Sequence, residues 1–303
     1  MTEQNKSNDP LVSVIIPTYN RSNVLPRTLS SLVKQTYKNM EVIVIDDAST
    51  DDTEKVAKSF VGSLNLVYLR NKINLKTPSR SRNIGLKIAH GEYFALLDDD
   101  DEFLEKKIEI QVRTAQSLDE KVFIVCNGYT YGKSNPYAYD LRKPGGLLGR
   151  KKDFLPIRFE LPQPSSWFFH RELVDKVGYF DEDMHLWDDV DYSLRLMVKY
   201  PVYMINQLLV NWNTTSNSLS NSLSSTPEMT MEHIRAKKHF LKKHFDLIRH
   251  DRHYLYKCYW RLGKDLKKMG KASDARQYFR KAIFVKPYKL EALVQFIVLS
   301  CRG

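Results

Sequence analysis

Apolar runs that stop abruptly at polar or acidic residues constrain this chain more than any other feature. Residues 11–17 (LVSVIIP) form such a run, rich in β-branched side chains, which is the signature of a strand buried on both faces. Residues 41–45 form a second buried strand and end in Asp46 and Asp47. Residues 66–69 form a third, and residues 93–97 a fourth that stops at Asp98, Asp99, Asp100 and Asp101. Between them, residues 24–35 place Leu25, Leu29, Leu32 and Val33 at helical spacing. Residues 49–52 lead into a helix reaching about residue 60. Residues 79–89 read as a helix ended by His90-Gly91, with glycine at the usual stop position. This alternation predicts an α/β domain with a parallel sheet covered on both faces. Such sheets bind ligands beyond the carboxyl ends of their strands, where Thr18-Tyr19-Asn20, Asp46-Asp47 and the four aspartates collect. A nucleotide site is expected there.

A chain of 303 residues suits one large domain with an appendage, or two modest domains. Residues 1–10 read as a frayed leader without the layout of a secretory signal. Residues 122–210 mix loops rich in Pro and Gly with a helix over 188–199 and a strand over 201–210. Residues 211–227, rich in Asn, Ser and Thr, read as a linker or mobile loop, and everything beyond reads helical. The expected organisation is a leader over 1–10, an α/β domain over 11–215, a linker over 216–229 and a basic helical domain over 230–303. No stretch approaches the ~18–20 apolar residues of a membrane span, and the expected location is the cytoplasm. Cys126, Cys258 and Cys301 lie far apart without metal-ligand spacing and are expected to stay unpaired.

Four consecutive aspartates after an apolar strand repel one another and raise one another's pKa unless something cationic sits among them. A divalent metal on hard oxygen ligands is one remedy, and it would in turn hold nucleotide phosphates. Acids that merely favour the first turn of a helix are the other reading.

The surrounding residues decide between these. VSVIIPTYNR, VIVIDDASTDDT, SRSRNIGLKIAHGEYFALLDDDDEF and LWDDVDYSLRL occur in that order between residues 11 and 210. This series resembles the family-2 glycosyltransferases, inverting enzymes of the GT-A (Rossmann-like) fold. The resemblance implies transfer of a sugar from a nucleotide-diphosphate donor, most often UDP-linked, to an acceptor hydroxyl. It places Tyr19 beside the nucleobase, with Pro17 and Thr18 shaping that wall and Asp47 accepting a hydrogen bond from the base. Arg82 falls near the base or the diphosphate. The family's Asp-x-Asp-Asp pattern lies on Asp98, Asp99, Asp100 and Asp101, which makes Asp100 the metal ligand for Mn²⁺ or Mg²⁺ and turns Asp98 toward ribose or metal. Position x is itself an aspartate here, Asp99, so the ligand is ambiguous by one residue. Asp189 takes the place of the catalytic base. Asp188 stands where the family usually has glutamate, and Trp187 is an acceptor contact. Trp167 and His170 either line the acceptor pocket or are ordinary core residues.

Two other functions fit parts of the pattern. A nucleotidyltransferase shares the acids at the strand ends, but PTYNRSN has no glycine for a phosphate loop after the first strand. A non-catalytic scaffold would use the helical tail alone. In that tail Tyr259, Leu262, Gly263, Leu266, Ala275, Phe279, Ala282 and Pro287 fall at the offsets of a tetratricopeptide-type helical pair over 256–289. Residues 230–303 carry 19 Lys/Arg against 6 Asp/Glu, a local +13 in a chain whose total is +11, so the front is nearly neutral. A structural cap, an anionic membrane surface that brings a lipid-linked saccharide acceptor near, and a protein partner or oligomer contact each fit this tail. Nucleic acid does not, since no recognition motif accompanies the charge. The expected setting is surface polysaccharide or glycoconjugate assembly by single-sugar transfer.

Overall fold

A computed structural model of the protein describes residues 9–131, 136–139, 145–147, 163–213 and 226–300. Most of the expected leader, the linker residues 216–225 and Cys301 lie outside the described residues. The chain divides into two compact units, one of described residues up to 182 together with 192–213, the other of residues 183–191 and 226–300. Residues 183–191, expected in the α/β domain, thus fall in the second unit.

The first unit is built on one mixed sheet. Strands β1 (Val12–Thr18), β2 (Met40–Asp46), β3 (Leu66–Arg70) and β4 (Tyr93–Leu96) pair in parallel in the order β3-β2-β1-β4. The order continues through β9 (Phe168–His170), β6 (Phe123–Tyr131), β10 (Val202–Asn213) and β5 (Glu102–Phe103). β7 (Pro136–Tyr139) pairs with β6, and β8 (Gly146–Leu147) with β10. The parallel arrangement expected from the first strands does not extend across the sheet, because β9 lies antiparallel between β4 and β6. A three-residue strand is too short to announce itself by periodicity.

Helices α1 (Leu25–Val33), α2 (Thr53–Lys58), α3 (Pro78–Ile88), α4 (Lys107–Gln116) and α5 (Arg171–Val177) connect the strands, and α6 (Asp188–Lys199) precedes β10. Side chains alternate across the sheet, so each unbroken apolar strand feeds two cores. Val12, Val14 and Ile16 join Val42, Val44, Leu25, Leu29 and Leu32 on one side. Ile15 joins Ile43, Ile45, Leu86 and Phe94 on the other. Each fully buried aliphatic side chain contributes about 1.5–3 kcal/mol. Trp167 and Phe169 extend the second core, with Trp167 1% exposed and edge-on to Phe123. Trp167 is therefore a core residue, and His170 caps α5 by accepting from the Glu172 amide at 3.1 Å.

The helix expected to stop on a left-handed glycine ends otherwise. Its last residue passes into extended backbone at Ala89, and among the described residues the positive-φ glycines are Gly146, Gly178 and Gly270 rather than Gly91. Gly91 is needed because a Cβ there would lie 2.4 Å from Ser13 Oγ, 2.6 Å from the Ser13 amide nitrogen and 2.9 Å from the Leu11 carbonyl oxygen. The same contact satisfies buried Glu41, which accepts from Ser13 Oγ and from the amides of His90 and Gly91. Burial alone would raise the Glu41 carboxyl; these hydrogen bonds hold it below the ordinary range.

The second unit is helical: α7 (Pro227–Lys243), α8 (Phe245–Ile248), α9 (Arg252–Lys268), α10 (Ala272–Val285) and α11 (Leu290–Ser300). α7 starts inside the segment expected as linker, because Thr226 caps it by accepting from the Met229 amide and Pro227 suits its first turn. β10 likewise runs to Asn213, inside the stretch read as loop. The helical pair expected over 256–289 is α9 and α10. Gly263 sits where they cross, since a Cβ would lie 2.6 Å from the Phe279 ring. Ala275, Phe279 and Ala282 are fully buried, and α11 adds a third helix.

Gly91→Ala should destabilise the protein by about 1–3 kcal/mol, because the added methyl meets backbone that cannot rotate away. Urea denaturation of both proteins measures this; an unchanged midpoint would show that the turn can move.

Candidate active site

β1, β2 and β4 end together, and their carboxyl ends carry most of the residues singled out from the sequence. Pro17 and Thr18 close β1 beside Ile45 and Asp46 of β2, and the Asp47 amide donates to the Thr18 carbonyl at 2.8 Å. Tyr19 follows, 43% exposed. Asn20 then turns through φ 51°, a left-handed conformation that asparagine tolerates. Its Oδ1 accepts from the Thr50 amide at 2.7 Å, and its own amide donates to Ser49 Oγ at 2.8 Å, so the turns after β1 and β2 are tied together.

Asp46 and Asp47 are both buried but serve different neighbours. Asp46 accepts from the Ser49 amide (2.8 Å) and from the Tyr68 hydroxyl. Asp47 accepts from the Leu75 amide at 2.8 and 2.9 Å, the Lys76 amide at 3.1 Å and Asn71 Nδ2 at 2.9 Å. These bonds organise the loop after β3. A carboxylate has about four lone-pair sites, so a nucleobase donor at Asp47 would share it with this loop.

The four aspartates are met by side chains from elsewhere in the unit. Arg82 of α3, 5% exposed, donates through Nη2 to Asp98 Oδ1 at 2.6 Å. Arg21, in the turn after β1, lies 3.5 Å from Asp99 and 3.9 Å from Asp100. Thr28 and Arg27 of α1 donate to the main-chain carbonyls of Asp99 (2.8 Å) and Asp100 (2.9 Å). Asp101 accepts from Ser165 Oγ at 2.5 Å and from the Asn213 amide at 3.0 Å. Burial pushes the Asp99 carboxyl up to about 7; Arg21 opposes the rise and the adjacent Asp100 adds to it. Burial and repulsion from Asp98 and Asp100 also push Asp101 well above the usual range.

Arg21, Arg27, Ser165 and Asn213 were not singled out from the sequence. Ser165 and Asn213 carry no local signal.

No group of three or more His, Cys, Asp or Glu side chains among the described residues is arranged to hold a metal ion by itself. Asp98 and Asp100 nevertheless fit a hard divalent cation, which needs only one or two carboxylates when substrate phosphates complete its shell.

Trp187, Asp188 and Asp189 lie in the second unit. Trp187 has φ 66°, unusual for a bulky residue and costing about 1–3 kcal/mol. Its ring meets Phe240 of α7 edge-on at 5.7 Å, and Lys237 Nζ lies 5.6 Å from its centroid. Asp188 (8% exposed) and Asp189 occupy the first turn of α6, where helix dipoles favour acids; Asp189 Oδ1 accepts from the Val190 amide at 2.8 Å. The fully buried acid of the motif is Asp191, paired with His244 at 2.7 Å and Lys243 at 2.9 Å. The third acid of WDDVD thus has a structural use that the resemblance did not assign.

Two stability measurements test these assignments. Folded Asp99 titrates near 7 and an unfolded aspartate near 3.9, so the folded state binds more protons between those values and stability falls as pH rises through them. Asp99→Asn should match wild type near pH 4 and gain about 2–4 kcal/mol on it by pH 8 in metal-free denaturation. A gap that stays constant with pH would contradict the shift. Asp191→Ala, which leaves Lys243 and His244 without their buried partner, should cost about 3–5 kcal/mol.

The family model "Glycosyl transferase family 2" matches residues 13–178. An uncharacterized glycosyltransferase of Rickettsia typhi is 28% identical over 288 residues, covering 93% of this chain and 83% of the relative. A putative colanic acid biosynthesis glycosyl transferase of Escherichia coli K12 is 28% identical over 206 residues, 64% of this chain and 68% of its own. Among solved structures, S. aureus TarS superposes with a TM-score of 0.64 at 17% identity, covering 95% of this chain and 54% of that one. TarS 1–349 in complex with UDP-GlcNAc gives 0.64 at 18% identity, with 95% and 79% covered. A Pyrobaculum calidifontis mannosyltransferase, solved with GDP-Man and Mn²⁺, gives 0.58 at 17% identity, with 97% and 87% covered. The match across more than half of the chain, on a sheet whose strand ends gather these acids and arginines, makes this protein a member of glycosyl transferase family 2: a glycosyltransferase of the GT-A fold with a C-terminal helical extension.

Proposed function

We propose that the protein moves one sugar from a UDP-linked donor to a hydroxyl of a saccharide or lipid-linked saccharide, inverting the anomeric configuration, in surface polysaccharide or glycoconjugate assembly. The observation that carries this reading is the convergence of Tyr19, Arg21, Arg82 and the four aspartates at the ends of β1 and β4. The UDP-GlcNAc complex of TarS and the colanic acid assignment of the E. coli relative support it.

Tyr19 offers an exposed aromatic face for the base, on the wall formed by Pro17 and Thr18. Asp47, which holds the loop after β3, would read the base together with that loop. Arg82 is the nearest fixed cation for phosphate, held in place by Asp98. Asp100, with Asp98 beside it, would hold Mn²⁺ or Mg²⁺, which when bound offsets the charge that grows on the departing diphosphate. Asp189 takes the proton from the acceptor hydroxyl as its oxygen attacks the anomeric carbon. Asp188 and Trp187 flank that base in the chain. Acceptors linked to lipid suit an enzyme working in the cytoplasm, peripheral at the inner face of the plasma membrane, where the basic helical unit meets anionic headgroups.

The test is a donor-hydrolysis screen. The protein is incubated with UDP-, GDP- and dTDP-sugars, with Mn²⁺ or with EDTA, and nucleotide release is followed. Release from a UDP-sugar that requires metal, and that Asp100→Ala lacks, is the expected result. If no donor is cleaved or bound with metal present, the nucleotide-sugar reading fails. Asp189→Asn should keep donor affinity while transfer falls by about 10²–10⁴-fold, the usual contribution of a positioned base.

A further inference from the structure

The last helix, α11 (LEALVQFIVLS), is apolar on nearly every side, a pattern expected of a helix covered all round. It packs against α10, and its Ala292 and Leu299 are buried. The other face is open. Leu290, Leu293, Val294 and Ile297 fall at i, i+3, i+4 and i+7, and all four are exposed, Leu290 by 66%. Ahead of them in the chain stand Phe284, 87% exposed near the end of α10, and Tyr288, 68% exposed in the turn. Exposed apolar residues scattered singly are ordinary; a stripe with two exposed aromatics leading into it marks an interaction surface.

The charges in this segment are nearly all of one sign. Arg280, Lys281, Lys286 and Lys289 have no carboxylate partner among the described residues. The acid of the segment, Glu291, accepts from the Tyr256 hydroxyl at 3.2 Å. Lys286 Nζ lies 5.8 Å from the Tyr288 ring centroid, so an exposed aromatic ring has an ammonium beside it. Charge therefore chooses among occupants. A second copy docked here about a two-fold axis would bring the same cations together, which is unfavourable. A bilayer with anionic headgroups presents negative charge at its surface and hydrocarbon beneath, and so complements both the cations and the stripe. Tyrosine and lysine suit that boundary, each with an apolar body and a polar tip.

We propose that α11 lies in the headgroup layer of an anionic bilayer, with Leu290, Leu293, Val294 and Ile297 toward the acyl chains and Phe284 and Tyr288 entering beside it. At 1.5 Å per residue the helix is about 16 Å long, short of the ~30 Å hydrocarbon core, so it lies along the membrane rather than across it. Among the described residues no helix is long and apolar enough to cross a membrane. The proposal rests on the reading of the helical unit as the part that meets anionic lipid, and deepens it. Charge alone would hold the protein at the surface only while salt is low; inserted apolar side chains hold it when salt is high.

The test uses the full chain and flotation with vesicles of phosphatidylcholine, with and without phosphatidylglycerol. Each is run at about 0.1 M and about 1 M salt, between which the screening length falls from about 10 Å to about 3 Å. Wild type should float with the anionic vesicles and stay bound at the higher salt. Leu290→Lys combined with Val294→Lys separates the two forces, because it adds positive charge while removing apolar surface. Both positions are exposed, so its thermal unfolding should match that of wild type. Insertion requires this double variant to bind anionic vesicles about tenfold or more weaker. Phe284→Lys combined with Tyr288→Lys carries the same test outside α11 should the first variant not fold. A folded double variant that binds as tightly as wild type would overturn the proposal, as would wild-type binding that disappears at the higher salt. Failure of wild type to float would also overturn it. A dimer in light scattering that the double variant splits would assign the stripe to a second copy and overturn it too. Donor hydrolysis without vesicles is followed in parallel. Salt-resistant vesicle binding by a protein that cleaves no donor would support insertion and remove the sugar-transfer reading; hydrolysis without vesicle binding would do the reverse.

Discussion

Repulsion among the carboxyl groups of Asp98, Asp99, Asp100 and Asp101 is met from several directions at once, and much of the first unit is arranged around that encounter. Arg82 reaches Asp98 from α3, and Arg21 reaches Asp99 and Asp100 from the turn after β1. Ser165 and the Asn213 amide, distant in sequence, satisfy Asp101. Even so, the Asp99 and Asp101 carboxyls sit above their ordinary range, because two guanidinium groups do not neutralise four acids taken out of water. Carboxyls displaced this far from their ordinary range cluster at functional sites more often than elsewhere in a fold.

That arrangement depends on turns that cannot relax independently. Asn20 and Ala48 both adopt positive φ, one after each of the first two strands, and the Asn20–Thr50 and Asn20–Ser49 hydrogen bonds lock the two turns to each other. Lys76, also at positive φ, belongs to the loop that Asp47 gathers. The main chain at Arg21 is thereby held in place, and its amide donates to Thr53 Oγ1 at 2.9 Å.

The helical unit follows a different logic. One tetratricopeptide-type pair does not bury its own apolar faces, so it needs neighbours. α10 has α11 beside it, and Asp191 at the start of α6 forms buried ion pairs with Lys243 and His244 at the end of α7. The same short segment that carries Asp188 and Asp189 is thus anchored by an acid two residues on. That anchoring gives the third acid of WDDVD a structural role.

The unbroken runs at residues 11–17 and 41–45 determined buried parallel strands, because only a strand with both faces covered tolerates that many β-branched residues without alternation. Their abrupt ends determined where a ligand site would lie, and the spacing of Gly263, Ala275 and Phe279 determined a close helical pair. Tertiary structure decided what periodicity does not encode. β9 is three residues long and is placed only by its neighbours β4 and β6. Gly91 looked like a helix stop and is instead a point of close approach to Ser13, a contact spanning 78 residues. Asp47 is identifiable as an acid at a strand end, but its hold on the loop after β3 follows from how that loop folds back. Sequence pattern reports how buried a residue is and how often that burial recurs along the chain. Which guanidinium meets which carboxylate depends on strand order and turn geometry, and those are set only when the sheet assembles.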